Sequence, residues 1–180
     1  MNIVEPIRNL NDIKRIEQLL EKQRFRDLIL FTTGTNSGLR ISDILNLDVS
    51  DVKNKDYINI IEKKTGKNKR FPINPKLKKM YAKFTEKREI NEPLFLSVFG
   101  HRMERTQCYR IINNVCKQAG IDYKVGTHTL RKTFGYHHYQ QFKDVAILQK
   151  IFNHSSPQIT LRYIGIDQDI IDRSYNNFVL

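Results

Sequence analysis

His128 and Arg131 stand three residues apart in the stretch HTLRKTFGYHH. On a helix that spacing puts both on one face, where they can address a single anion. A guanidinium offers a rigid fork that matches two phosphate oxygens, and a histidine titrates near neutrality and can take or give a proton beside it. A helix that turns Leu130 and Phe134 to a core would also carry such a pair on its wet side with no chemistry at all. Arg40 is a second candidate. It follows a glycine-containing turn and opens the amphipathic stretch RISDILNL, in which Ile41, Ile44, Leu45 and Leu47 read as buried. A helix N-terminus favours anions rather than cations, so a phosphate there would suit both Arg40 and the backbone N–H groups. Pairing with Asp43 is the plainer reading. The third candidate is the cluster Lys64, Lys67, Lys69 and Arg70 in KKTGKNKR. It is either a solvated charge run or a basic tip that enters a DNA groove, where one lysine could protonate a leaving oxygen.

The charge balance points the same way. Thirty-one Lys and Arg oppose nineteen Asp and Glu over 180 residues, a formal +12. That is the footprint of a polyanion partner, most often nucleic acid; a solubilising surface is the alternative. With no tryptophan and scattered aromatics, no stacking platform for single strands is evident. No apolar run approaches the ~18 residues of a membrane span, and the N-terminal residues lack a basic-then-apolar export pattern, so a cytoplasmic protein is expected. Cys108 and Cys116 lie eight apart and suit reduced thiols rather than a disulfide or zinc site. No acidic cluster or Cys/His spacing suggests a metal, and neither metal nor cofactor is expected.

The elements that must position these residues are mostly helical. Asn11 or Asp12 can cap a helix to about Gln23, and a second runs from about Phe25 to Thr33 before the turn TNSG. DYINIIEKK and NKRFPI are two β-type runs flanking TGKN, which predicts a hairpin. Asn74 and Pro75 restart a helix to about Lys87, and EPLFLSV is a short extended piece. Helices follow at about 105–119, 127–141 and 144–152. Ser156 and Pro157 start another, and DQDIIDRSYNNFV is a last amphipathic segment. With no repeat or flexible linker, the expected class is α+β: a mostly helical single domain, 1–180, with a small antiparallel sheet.

In this order the pieces resemble the catalytic domain of the tyrosine recombinases, the phage-integrase family. Arg40 sits in GLRISDIL, His128 and Arg131 in HTLR, His154 in FNHSS and Tyr163 in TLRYI. Arg131 precedes His154 by twenty-three residues, and His154 precedes Tyr163 by nine. Lys64, eight residues before Pro72, matches the family's hairpin lysine, with Lys67 as the fallback. The resemblance runs from about Ile13 to the C-terminus. Two departures stand out. Asn153 replaces the glycine usual before the last motif histidine, and asparagine is the best substitute in a left-handed cap. The family's usual N-terminal core-binding domain is absent from this chain.

The resemblance implies a site-specific DNA recombinase or integrase. Tyr163 would attack a phosphodiester and form a 3′-phosphotyrosyl link. Arg40 and Arg131 would clamp the nonbridging oxygens, His154 would donate to one of them, His128 would be the base and Lys64 the acid. Lys67, Lys69, Arg70 and Lys132 would contact DNA. His101, His137 and His138 match no motif and read as ordinary. The implied partner is double-stranded DNA, bound by a homo-oligomer, a tetramer on synapsed DNA, with a monomer in isolation. The C-terminal tail would dock on a neighbouring protomer or on its own domain. Type IB topoisomerase-like relaxation and an idle DNA-binding relic are the competing functions.

Overall fold

The structure is a computed structural model that describes residues 4–61, 66 and 68–179; the side chains of residues 167–170 lie outside the description. Helix α1 (Leu10–Gln23) is capped by Asn9, two or three residues earlier than expected, because its side chain accepts from the Asn11 N–H. Helix α2 (Phe25–Ser37) continues through the expected TNSG turn. Thr35 and Asn36 donate back to the carbonyls of Phe31 and Thr32 and so stay helical, and Gly38, at φ 63°, supplies the stop.

The short helix α3 (Ile41–Leu45) and a 3₁₀ turn at Val49–Asp51 lead to strands β1 (Tyr57–Ile61) and β2 (Asn68–Pro72). They pair antiparallel with Tyr57 opposite Pro72 and Ile60 opposite Lys69. The extended piece around Leu94 makes only isolated bridges, Asp48 with Pro93 and Leu96 with Arg102. Helix α4 (Pro75–Thr85) starts at the expected Asn74–Pro75 signal, the Asn74 side chain accepting from the Leu77 N–H. Then come α5 (Arg105–Gln118), α6 (Thr127–Phe142), α7 (Val145–Phe152), α8 (Pro157–Ile164) and α9 (Ile166–Asn177). The result is a mostly helical α+β fold with a two-stranded antiparallel sheet.

Two apolar clusters organise it. The larger gathers Ile16, Leu20, Phe31, Ile44, Tyr81, Phe95 and their neighbours, from α1 to Leu130 on α6. The smaller holds Leu148, Phe152, Ile164 and Ile166, with Phe134, Leu161 and Tyr163 packed against it. Helix α6 lies between them. Gly34 lets α2 approach α6, since a Cβ there would stand 2.5 Å from a Leu130 methyl. Gly135 plays the same part on the other side, where a Cβ would meet Ile164 at 2.6 Å and Phe152 at 2.7 Å. Both cysteines are buried in the larger cluster, and burial pushes each thiol up to about 12.

Candidate active site

The buried face of α6 carries Arg131, only 3% exposed. Its Nη1 donates to the Gly38 carbonyl at 2.5 Å and its Nη2 to the Phe152 carbonyl at 2.9 Å. Its guanidinium also lies 4.4 Å from the centre of the Phe152 ring. Two main-chain carbonyls from distant segments thus fix the fork. The Arg131 guanidinium also lowers the pKa of the Tyr163 phenol.

Arg40 arrives from the other cluster. It occupies the N-cap position of α3 with extended backbone and no capping hydrogen bond of its own. Its Nη1 stands 4.0 Å from the buried Asp43 carboxylate, so the Asp43 pairing is present. Its charge nevertheless acts on both His154 and Tyr163. The plain and the chemical readings of Arg40 are therefore compatible.

His154 hangs from the end of α7. Asn153 takes φ 54° and ψ 47°, the left-handed cap that glycine would otherwise supply. The His154 N–H then donates to the Gln149 carbonyl at 3.0 Å. In the ring, Nδ1 lies 3.0 Å from Thr160 Oγ1, and Thr160 in turn donates to the Ser156 carbonyl at 3.3 Å. Thr160 therefore holds the ring through Nδ1. Burial, then the charges of Arg131, Arg40 and Lys69, lower the imidazole to about 4.

Tyr163 lies in α8, which begins at the expected Ser156–Pro157 signal. Its ring meets Phe152 edge-on at 5.5 Å and His154 at 5.1 Å. Its hydroxyl is 3.4 Å from Nδ1 of the exposed His128. Burial raises the phenol above its usual 10, while Arg131 and Arg40 pull it back down. The arrangement sets a histidine nitrogen and two guanidinium charges around one phenol, and its positive charge suits a phosphate.

The structure thus brings Arg40, His128, Arg131, His154 and Tyr163 together. Lys64 and Lys67 lie outside the described residues. The other three expected DNA-contact residues are placed differently from one another. Arg70 is exposed and stacks 3.7 Å over the Tyr57 ring. Lys69 is half-buried, and its Nζ donates to the Ile151 carbonyl. Lys132 is only 8% exposed, its Nζ lying 5.4 Å from the Tyr163 ring centre, with Glu5 and Arg8 nearby. His137 holds the Ile7 carbonyl at 2.9 Å, a packing role. Sequence reasoning missed Thr160 and Phe152. Thr160 falls one turn after the Ser156 cap, a spacing that could have shown it facing the His154 turn.

A profile of the phage integrase family matches residues 8–169. The chain is 49% identical over 179 residues to the "Probable integrase/recombinase YoeC" of Bacillus subtilis (strain 168), a match covering 99% of this chain and 98% of that protein. It is 27% identical over 164 residues to tyrosine recombinase XerC of Thermodesulfovibrio yellowstonii, where 83% of this chain matches 54% of the relative. The chain therefore spans nearly all of one relative and about half of the other. The crystal structure of XerA recombinase shares the fold, with a TM-score of 0.77 at 23% identity over 98% of this chain and 64% of that one. With the profile spanning almost the whole sequence and its motif residues gathered at one site, the chain belongs to the phage integrase family, the tyrosine recombinases.

Proposed function

We propose that this chain cuts and rejoins duplex DNA through a covalent link to Tyr163. The observation that carries the reading is the Tyr163 hydroxyl, 3.4 Å from His128 Nδ1 and within the field of Arg131 and Arg40. His128 takes the phenolic proton, and the phenolate oxygen attacks the scissile phosphorus in line. The bond from phosphorus to the 5′-oxygen breaks, leaving a 3′-phosphotyrosyl link, and the 5′-oxygen takes a proton from Lys64. Arg40 and Arg131 hold the nonbridging oxygens as their charge builds. His154 donates to one of them through Nε2. A 5′-hydroxyl from a second strand reverses the step, because the link retains the energy of the broken bond.

Duplex DNA is the partner that the +12 charge suits. The fold neighbours include a lambda integrase dimer bound to a COC′ core site and XerH site-specific recombinase bound to a difH substrate. Strand exchange between two duplexes calls for four copies, so the working assembly is a tetramer on synapsed DNA, acting in the cytoplasm. The test is a covalent trap. The protein is incubated with nicked duplexes from its own genetic element, denatured in detergent and run beside Tyr163→Phe. A shifted protein–DNA band that the variant lacks supports the reading. A band that persists in Tyr163→Phe removes Tyr163 as the nucleophile.

A further inference from the structure

The turn that carries His154 is held by groups from two other parts of the chain. An α-helix ends in carbonyls without partners in the helix, and its C-terminus attracts cations. At the end of α7 four successive carbonyls are taken. Gln149 accepts from the His154 N–H at 3.0 Å and Lys150 from the Asn153 N–H at 3.2 Å. Phe152 accepts from Arg131 at 2.9 Å. Ile151 accepts from Lys69, on strand β2 opposite Ile60. Two cations, one from α6 and one from the hairpin, thus grip the same turn.

Lys69 need not have gone there. A lysine at the edge of a basic hairpin is expected to be solvated or to lie on a phosphate. Instead it is half-buried and spans eighty-two residues of sequence to a main-chain oxygen. The carbonyl it takes lies three residues before His154. Its charge is also one of those that hold the imidazole neutral, with Arg131 from α6 and Arg40 ahead of α3, while Tyr163 faces the ring from α8.

We infer that Lys69 is a positioning residue, tying strand β2 to the last turn of α7 and so fixing where His154 stands beside Tyr163. Its effect on catalysis rests on the strand-transfer reading above; its effect on His154 does not. The contact ties strand β2 to the turn that carries His154. A small displacement of His154 then costs rate without costing DNA affinity, since misplacement on the order of 1 Å can slow a reaction ~100-fold.

The test uses Lys69→Met and Lys69→Arg in the whole chain, alone and combined with His154→Ala. At saturating DNA, Lys69→Met is expected to slow Tyr163-linked cleavage about tenfold, while Lys69→Arg, which can still donate to a carbonyl, stays within about threefold. The double variant with His154→Ala is expected to be no slower than His154→Ala alone, because both act through one group. DNA affinity and its salt dependence stay unchanged. Full additivity, or a salt slope reduced by about one phosphate contact, would overturn the inference and make Lys69 a DNA contact. The imidazole signals of DNA-free protein separate this from failure of the functional reading. In Lys69→Met the His154 titration is expected to move up from about 4, whether or not the protein cleaves DNA. An unchanged His154 titration would sink the inference even with cleavage intact.

Discussion

Arg131 meets Phe152 twice, donating to its carbonyl at 2.9 Å and lying 4.4 Å from the centre of its ring. Phe152 is fully buried and also presents its ring to Tyr163 and His154. One core side chain is therefore the shared wall of the guanidinium, the histidine and the phenol. The geometry of the site follows from packing as much as from charge.

Arg131→Lys keeps the charge and loses the fork. An ammonium cannot reach the Gly38 and Phe152 carbonyls together in the same geometry. Cleavage at saturating DNA is expected to fall ~10²–10³-fold, and stability by about 1–3 kcal/mol as a buried carbonyl loses its donor. Single-turnover cleavage and urea unfolding measure the two. Wild-type cleavage would remove Arg131 from the site.

Thr160→Val is nearly isosteric and removes the group that fixes His154 Nδ1. The loss of one hydrogen bond is expected to cost about 0.5–1.5 kcal/mol of stability. Cleavage should fall roughly tenfold, the low end for a misoriented catalytic group. Thr160→Ser keeps the hydroxyl and should retain most of the rate. If the valine and serine variants cleave equally, the Thr160 hydroxyl does not orient the ring.

His154 gives the DNA-free protein a pH-dependent stability. Burial first, then Arg131, Arg40 and Lys69, lower its pKa from 6.5 to about 4. Between those values the unfolded chain binds a proton that the native state refuses. Its contribution is therefore full above pH 6.5 and is lost as the pH falls to about 4. The ring is half-buried and solvent screens it, so the loss is on the order of 1–2 kcal/mol. Urea midpoints at pH 7, 5.5 and 4.5 for wild type and His154→Gln measure it. Parallel curves for the two proteins would show that His154 is not the responsible group.

Gly38→Ala strikes backbone and packing at once. Its φ is 63°, and a Cβ would stand 2.6 Å from the Phe134 ring. A destabilisation of about 2–4 kcal/mol is expected. Because the Gly38 carbonyl seats Arg131, cleavage should also fall well below the melting transition. A destabilised variant that cleaves normally when folded would separate the turn from the site.

The helix starts marked by Asn74–Pro75 and Ser156–Pro157 were legible because a cap is local chemistry. So was the left-handed turn at Asn153. The continuation of α2 to Ser37 was not, since Thr35 and Asn36 read as turn formers until their side chains are seen on helix carbonyls. The motif residues could be named from their order and spacing. The distance from Tyr163 to His128 could not, because it depends on how α8 packs against α6. Lys132 shows the limit most clearly. One residue beyond Arg131 is a rotation of about 100° around the helix, which carries its ammonium over the Tyr163 ring, beside Glu5 and Arg8. Residues 5–7 are anchored as well: the Ile7 N–H donates to Thr133 Oγ1 at 2.9 Å and the Glu5 N–H to the Lys124 carbonyl at 3.0 Å.

The smaller apolar cluster beneath Tyr163 has a dynamic corollary. Among the described residues its buried members are Leu148, Phe152, Ile164 and Ile166, whereas the larger cluster draws on six helices, α1 to α6. Local opening free energy follows the apolar contact a segment must give up. In native-state hydrogen exchange the amides of α7 and α8 should therefore trade protons through a sub-global opening, well before those at the centre of α2. The segment that bears Tyr163 would then detach and reseat while the rest of the molecule keeps its shape.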